Sequence, residues 1–168
     1  MASSSIKFGH IQINPNFLFM NRDRVFAMVV HNPIKEGHIL VCPKSQKARY
    51  RELDTQELFE LSLTVQFLTK FLQKKYNTDS ATVTIQEGSG AGQTINHLHV
   101  HIIPRRPGDF KNNDDIYGLL ETFDDDYVNK LSQANMQTQK WAELAAEFKE
   151  KLAEAFPSMQ DGVKMGHI

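Results

Sequence analysis

Residues 93–104 read QTINHLHVHIIP, a stretch in which histidines alternate with apolar side chains. Alternation with a period of two predicts a β-strand over residues 95–103, because successive side chains of a strand point to opposite faces of a sheet. The apolar residues then face a core, and His97, His99 and His101 project together from the other face. The chain holds 7 histidines in 168 residues, so three of them on one face are its strongest chemical signal.

A glycine-rich segment leads directly into this strand. Residues 87–94 read EGSGAGQT and carry three glycines. Glycine lets backbone N–H groups approach a phosphate closely, although a plain hairpin turn also favours glycine. Because the segment immediately precedes the histidines, we expect its amides, with the side chains of Gln93 and Thr94, to lie beside the imidazoles.

Periodicity over the rest of the chain predicts an α+β fold in a single domain, residues 1–168. Apolar residues at three- and four-residue steps after a capping Asp54 predict one long helix from Thr55 to about Tyr76. Similar spacing predicts a C-terminal helix over about 134–156. Short apolar or alternating runs indicate further strands at residues 8–19 (one or two), 25–30, 37–42 and 82–86. We therefore expect an antiparallel sheet of about five strands, one long helix and a C-terminal helix.

The chain turns polar and acidic between the histidine strand and the last helix. Residues 112–115 read NNDD and residues 124–126 read DDD. Such composition is typical of exposed segments that bury little apolar surface. We expect an exposed acidic loop over about 111–130.

The long helix carries a second apolar stripe, formed by Phe59, Leu63, Phe67 and Phe71. A helix on one sheet face needs a single stripe. The surplus is consistent with a covered or dimer-facing side of the helix, and equally with a wide core stripe. The sequence leaves both interpretations open.

Charge and composition narrow the classes of partner. The chain has 19 Lys and Arg against 20 Asp and Glu, a net charge of −1. It therefore has no global field for binding nucleic acid or an anionic membrane. No run approaches the roughly 18 apolar residues of a membrane-spanning helix. Any recognition of phosphate must be local.

Cysteine usage and the first residues bear on location. The single cysteine, Cys42, follows apolar neighbours, which favours a buried thiol in a reducing compartment. Residues 1–5 lack the basic segment and apolar run of a secretory signal. We expect a cytoplasmic or nuclear protein.

Four interpretations of the three histidines compete. They can be packed side chains without a task, metal ligands, part of a nucleotide-binding module without turnover, or catalytic groups. Clustered imidazoles repel one another when protonated, which weighs against the first. On a straight strand His97 and His101 stand about 13 Å apart, too far for one ion, although two of the histidines with His38 could bind one. We favour catalysis and expect no fixed metal.

The catalytic hypothesis gives each imidazole a role. A central neutral histidine, His99, attacks phosphorus, and its other ring nitrogen donates to a carbonyl so that the attacking nitrogen stays unprotonated. His101 then contacts an α-phosphate or bridging oxygen, and His97 with His38 forms the supporting shell.

Residues 93–104 resemble the His-x-His-x-His-x-x signature of the histidine triad superfamily. Three further stretches, QEG at 86–88, GHILVCP at 37–43 and PRRPGDF at 104–110, resemble its fragile histidine triad branch, the diadenosine triphosphate hydrolases. The resemblance covers about residues 7–117. It implies a homodimer whose antiparallel sheet continues across the dimer. It also implies cleavage of diadenosine triphosphate to AMP and ADP through a covalent AMP-histidine intermediate.

The resemblance also implies roles for individual residues. His99 matches the nucleophile and His101 the phosphate contact. The positions of the substrate-binding loop and strand match Gln86, Gly92, Gln93, Thr94 and Ile95, and those of the apolar adenine pocket match Phe8, Met28 and Leu40. Two positions depart: Val30 stands where the family has an asparagine that contacts ribose, and Ile11 where it has a histidine near the substrate.

Two other functions remain as alternatives. A nucleoside phosphoramidase would replace the leaving nucleotide by an amine, but the PRRPGDF segment favours the hydrolase branch. A signalling module would hold the dinucleotide and turn over far more slowly than about 1 per second. Arg105 and Arg106 either steer polyphosphate or are ordinary solvated charges. We expect a dinucleoside polyphosphate substrate, no tightly bound cofactor, and Mg²⁺ or Mn²⁺ accompanying the substrate phosphates.

Overall fold

The computed structural model describes residues 5–131 and 138–155. The strands and α-helices within these residues are β1 Lys7–Phe8, β2 Ile11–Gln12, β3 Leu18–Asn21, β4 Val25–Val29, β5 Ile39–Pro43, α1 Thr55–Lys75, β6 Ser80–Ile85, β7 Val100–Arg105, α2 Asp115–Glu121, α3 Phe123–Leu131 and α4 Thr138–Ala155. β1 and β2 form a two-stranded hairpin, and the other five strands form one antiparallel sheet in the order β3-β4-β5-β7-β6. The predicted α+β class and five-stranded sheet are confirmed.

The long helix α1 begins where its capping signal predicts. Asp54 Oδ1 accepts from the backbone N–H of Glu57 at 2.9 Å, and a carboxylate oxygen of Glu57 accepts from the N–H of Asp54 at 2.9 Å. These two reciprocal bonds satisfy donors that the first turn would otherwise leave unpaired. The predicted helix from Thr55 to about Tyr76 is confirmed, with Tyr76 as the residue that ends it.

α1 and α4 cover one face of the sheet. Leu68 of α1 and Phe148 of α4 are fully buried there, in a core that includes alternate residues of the central strands. The Phe148 ring meets Phe19 and Phe71 edge-on, with centroids 5.2 and 5.6 Å apart. α4 agrees with the C-terminal helix predicted over about 134–156, of which residues 134–137 and 156 lie outside the described residues.

The second apolar stripe of α1 divides between core and surface. Phe67 and Phe71 are buried, whereas Phe59 and Leu63 remain 42% and 45% exposed. The wide-core interpretation holds for the C-terminal half of the stripe, and the N-terminal half is free to face another surface.

The acidic segment is largely helical, and the prediction of an exposed loop over about 111–130 is wrong for residues 115–130. These residues form α2 and α3, which pack on the sheet face opposite to α1 and α4. Ile116, Leu120, Phe123 and Tyr127 are buried, and their steps of four, three and four residues place them on one helical face. The prediction missed this apolar stripe because acidic residues fill the positions between its members and make the segment polar in composition.

None of the helices in the described part of the chain has both the length and the apolar character needed to cross a membrane.

Candidate active site

The three histidines lie where the chain enters β7, and only His101 belongs to the strand. Residues 95–97 bend, and the N–H of Leu98 donates to the carbonyl of Lys47 at 2.7 Å rather than to a neighbouring strand. The predicted strand over 95–103 is therefore wrong in its first half. The imidazoles still meet: the ring centroids of His99 and His101 are 5.0 Å apart.

The bend removes the argument against a metal that assumed a straight strand. Among residues 5–131 and 138–155, however, no group of three or more His, Cys, Asp or Glu side chains is arranged to hold a metal ion. The ring nitrogens of the histidines instead form hydrogen bonds with backbone groups and with one another.

His38 and His101 form a chain of hydrogen bonds that fixes both tautomers. The N–H of Ile34 donates to Nδ1 of His38 at 3.2 Å. The proton of His38 then resides on Nε2, which donates to Nδ1 of His101 at 3.0 Å. His101 consequently carries its proton on Nε2, and this atom is buried with no hydrogen-bond partner among the described residues. This N–H is therefore an unused hydrogen-bond donor.

His97 and His99 are fixed by the backbone in the same way. The N–H of Gly9 donates to Nδ1 of His97 at 2.9 Å, so its Nε2 donates to the carbonyl of Pro43 at 2.7 Å. Nδ1 of His99 lies 2.8 Å from the carbonyl oxygen of His97 and donates to it. In a neutral ring the lone pair of His99 is therefore on Nε2, the arrangement that the nucleophile hypothesis requires.

The supporting imidazoles are held neutral by their surroundings. Burial, and then the nearby His99, lowers the pKa of His38 to about 3. Burial, followed by His99 and His38, lowers the pKa of His101 well below its usual value. Burial also lowers the pKa of His97, against the opposing effect of its bond to Pro43. These three rings are therefore neutral at physiological pH, as the tautomers assigned to them require.

The glycine-rich segment is shaped by Gln93, which lies buried beneath it. The Gln93 side-chain oxygen accepts from the N–H of Gly88 at 2.8 Å and from the guanidinium of Arg49, and its amide donates to the carbonyl of Ala48 at 3.0 Å. Gln93 thus holds the loop from within. Arg49, which the sequence did not single out, brings a positive charge to this loop.

Gly92 is required by the geometry of the same loop. Its φ of +88° lies in the left-handed region, and an added Cβ would stand 2.7 Å from the Gln86 side-chain nitrogen and 3.0 Å from the Glu121 backbone. Gln86 donates to the carbonyl of Ala91 at 2.6 Å. Both predicted binding residues therefore keep the loop tight.

Apolar side chains at the positions predicted to line an adenine pocket pack together beside the histidines. Phe8, Met28 and Leu40 are fully buried in one cluster with Ile95. The Phe8 ring lies edge-on to His99, with centroids 5.1 Å apart. The two departures from the family pattern, Val30 and Ile11, belong to this same cluster. They extend its apolar surface.

Helix α3 covers the histidine cluster, a feature that the sequence did not predict. Asp124 Oδ1 lies 3.0 Å from His99 Nε2, without the alignment of a hydrogen bond. Asp124 Oδ2 accepts from the N–H groups of Thr94 and Ile95 at 2.8 and 2.9 Å. Burial raises the pKa of Asp124, but His99 and these two amides outweigh it and hold the pKa below its usual value.

Arg105 and Arg106 have structural partners, and Cys42 is buried. Arg105 forms a paired contact with Asp109, at 2.7 and 2.9 Å, and Arg106 donates to the carbonyl of Tyr76 at 2.6 Å. Both guanidinium groups thus hold the turn after β7. Cys42 is fully buried, and burial, together with Asp124, raises the pKa of its thiol. It is not an activated nucleophile.

Comparison with known proteins agrees with this geometry. A family model described as HIT domain matches residues 12–108. The bifunctional bis(5'-adenosyl)-triphosphatase/adenylylsulfatase FHIT of Arabidopsis thaliana is 35% identical over 150 residues, which cover 87% of this chain and 83% of that protein. The bis(5'-adenosyl)-triphosphatase of Dictyostelium discoideum is 40% identical over 114 residues, 68% of this chain and 76% of that protein.

Solved structures give the same result. The crystal structure of Plasmodium falciparum diadenosine triphosphate hydrolase in complex with cyclomarin A matches with a TM-score of 0.72 and 26% sequence identity. The match covers 93% of this chain and 89% of that one. The chain therefore belongs to the HIT domain family, in its fragile histidine triad branch.

Proposed function

We propose that this protein hydrolyses diadenosine triphosphate to AMP and ADP through an adenylyl intermediate on His99. One observation carries the proposal: His99 Nε2, the ring nitrogen that bears the lone pair when the imidazole is neutral, and the unpartnered N–H of His101 Nε2 belong to rings whose centroids lie 5.0 Å apart. A nucleophile beside a free donor is the pair that displacement at phosphorus requires.

The reaction proceeds in two displacements at the α-phosphorus. Nε2 of His99 attacks, a P–N bond forms, and the bond from phosphorus to the bridging oxygen breaks with its electron pair on departing ADP. His101 donates a hydrogen bond to the oxygen that gains charge. Water then attacks the same phosphorus and releases a proton to solvent, the P–N bond breaks, and its electron pair returns to Nε2 as AMP leaves. ADP is already a good leaving group, so positioning and charge neutralisation are the main needs.

The substrate is held by groups already present. The backbone N–H groups of Thr94 and Ile95 point at an acidic oxygen, as they would at a phosphate. The apolar cluster around Phe8 takes a base. Mg²⁺ or Mn²⁺ enters with the polyphosphate and offsets its charge, so a chelator is expected to lower turnover.

Product analysis tests this function. Incubated with diadenosine triphosphate and Mg²⁺, the protein is expected to yield equal AMP and ADP on chromatography. His99→Asn removes the attacking lone pair and is expected to lower turnover by several powers of ten. His10→Asn, at an exposed residue outside the histidine cluster, serves as the matched control and should turn over normally. An unchanged rate in His99→Asn would refute the assignment.

The homodimer has a candidate surface at the edge of the sheet. β6 is the last strand of the sheet, and Val83 on it is 45% exposed. Beside it, α1 and β6 border a groove of about 590 Å³ lined by Val65, Val83 and Ile85 among others. An apolar strand edge of this kind is suited to pairing with a second copy.

Solution mass tests the dimer. Light scattering after gel filtration is expected to give twice the chain mass for the wild type. Val83→Glu places a charge on the exposed edge and is expected to shift the mass toward the monomer. The same charge at Lys149 on the exposed side of α4, Lys149→Glu, should leave the dimer intact. A monomeric wild type would remove the dimer proposal.

A further inference from the structure

Helices α2 and α3, here called the cover segment (residues 115–131), leave no open path to the histidines. His99 is 1% exposed and His101 is 0% exposed. A dinucleotide must reach Nε2 of His99 with its α-phosphorus, and phosphorus must come within about 3.5 Å of the attacking atom. The described arrangement is therefore a closed one.

The cover segment places an acidic group where the phosphate belongs. Asp124 is 1% exposed, and its two oxygens meet the N–H of Thr94, the N–H of Ile95 and Nε2 of His99 at 2.8, 2.9 and 3.0 Å. A carboxylate is a planar oxyanion and a phosphoryl group a tetrahedral one, and both accept hydrogen bonds from such donors. Asp125 adds a bond, 2.8 Å long, from the hydroxyl of Thr94. The donors of Thr94 and Ile95 are thus already occupied from within the chain, while the N–H of His101 Nε2 has no partner among the described residues.

Aromatic rings of the same segment fill the rest of the pocket. The Phe123 ring lies 4.9 Å from the rings of both His38 and His101. The Tyr127 ring lies 5.8 Å from Phe8, the residue assigned to the base pocket. The carbonyl of Tyr127 also lies 2.9 Å from Nε2 of His31. Base and phosphate positions are therefore covered together by one turn and a half of α3.

We propose that the cover segment is an internal substrate mimic, in which Asp124 occupies the phosphate position and Tyr127 the base position. The substrate must displace both before His99 can act. The inference rests on the proposed function, since it assigns the same pocket to two competitors. In the closed state the Asp124 carboxylate lies 3.0 Å from Nε2 of His99 and occupies the place from which an α-phosphorus would be attacked.

The two helices of the segment are attached differently, which makes partial release physically reasonable. Ile116 and Leu120 of α2 pack on Ile103 and Phe110, in a small apolar cluster of their own. α3 is held largely at the catalytic pocket, by the contacts of Asp124 and Tyr127. A polyphosphate that takes over the amides of Thr94 and Ile95 removes a main attachment of α3 while leaving α2 anchored.

Kinetics of Asp124→Asn test the competition. The substitution keeps the size of the side chain and removes its charge, so the open state gains population. We expect KM for diadenosine triphosphate to fall about tenfold at an unchanged kcat, because the apparent affinity scales with the open fraction. Asp126→Asn removes the same charge from a residue whose recorded partner is the hydroxyl of Thr122, and should leave KM unchanged. A lower kcat in Asp124→Asn would make Asp124 part of the catalytic machinery and overturn the proposal.

Hydrogen exchange with AMP as the probe tests the displacement without turnover. AMP is expected to slow exchange of backbone amides in residues 93–101 and to speed it in residues 123–131. If AMP slows exchange in both segments, the cover closes over the ligand instead of competing with it. If residues 93–101 alone respond, the mimic fails while the nucleotide site stands. If neither responds at saturating millimolar AMP, the nucleotide site itself fails.

Discussion

Acid is expected to destabilise this protein well above the range in which its carboxylates titrate. His38 has a pKa of about 3 in the folded chain, against 6.5 in the unfolded one. Below pH 6.5 the unfolded chain therefore binds a proton that the folded chain refuses, and the free energy of unfolding falls until the pH reaches the folded value. Between pH 7 and pH 5 this loss amounts to about 2 kcal/mol from His38 alone.

Urea titrations at the two pH values, followed by circular dichroism, measure the loss. His101 and His97, whose pKa values are also lowered by burial, add to it in the same direction. His38→Gln removes one titrating ring, so its fall between pH 7 and pH 5 is expected to be about 2 kcal/mol smaller than that of the wild type. Comparing the two falls cancels the pH-independent cost of the substitution. An equal fall in both proteins would refute the claim that the fold holds His38 neutral.

Two further substitutions test the packing around the site. Phe148→Ala empties a fully buried position that Phe19 and Phe71 contact, and is expected to lower the free energy of unfolding by about 3–5 kcal/mol, measured by urea; a loss below about 1 kcal/mol would contradict the packing. Gly92→Ala adds a Cβ at a positive φ, close to the Gln86 side-chain nitrogen. It is expected to lower the free energy of unfolding by about 1–3 kcal/mol and to raise KM. The reference is Gly90→Ala, where an added Cβ meets nothing within 4 Å; equal effects at the two glycines would count against the strained loop.

The sequence predicted those elements whose signals lie within the element itself or next to it. α1 has an apolar stripe and a capping pair at Asp54 and Glu57, and both signals are local, so its bounds followed directly. The central strands β4 and β5 are apolar runs buried along their whole length, and they too were found in place, β5 ending at Pro43. For the same reason the alternation at residues 100–103 correctly marked β7.

The bend before β7 could not be predicted, because alternation alone does not reveal where a ladder ends. His97 and His99 alternate with Leu98 as a strand would, yet the N–H of Leu98 pairs with Lys47, about fifty residues earlier in the chain. That partner depends on tertiary structure. The tautomers of the imidazoles depend on such distant backbone groups as well, including Gly9 and Pro43.

The cover segment shows a different failure. Its apolar positions have helical spacing and were visible in the sequence, but the acidic residues between them were interpreted as a sign of solvent exposure. Asp124 is the decisive case: a carboxylate at 1% exposure is stable there only because two amides and an imidazole from another part of the chain surround it. Nothing in the local pattern distinguishes it from Asp125 or Asp126.

The stereochemical course at the α-phosphorus tests the catalytic role of His99 most directly. The measurement uses diadenosine triphosphate carrying sulfur at the α-phosphorus in one configuration, hydrolysed in water labelled with ¹⁸O. Attack by His99 followed by attack of water inverts the phosphorus centre twice. The account therefore predicts adenosine 5'-phosphorothioate of retained configuration. Inverted product would show that water attacks the substrate directly, and would contradict the covalent intermediate on which the account depends.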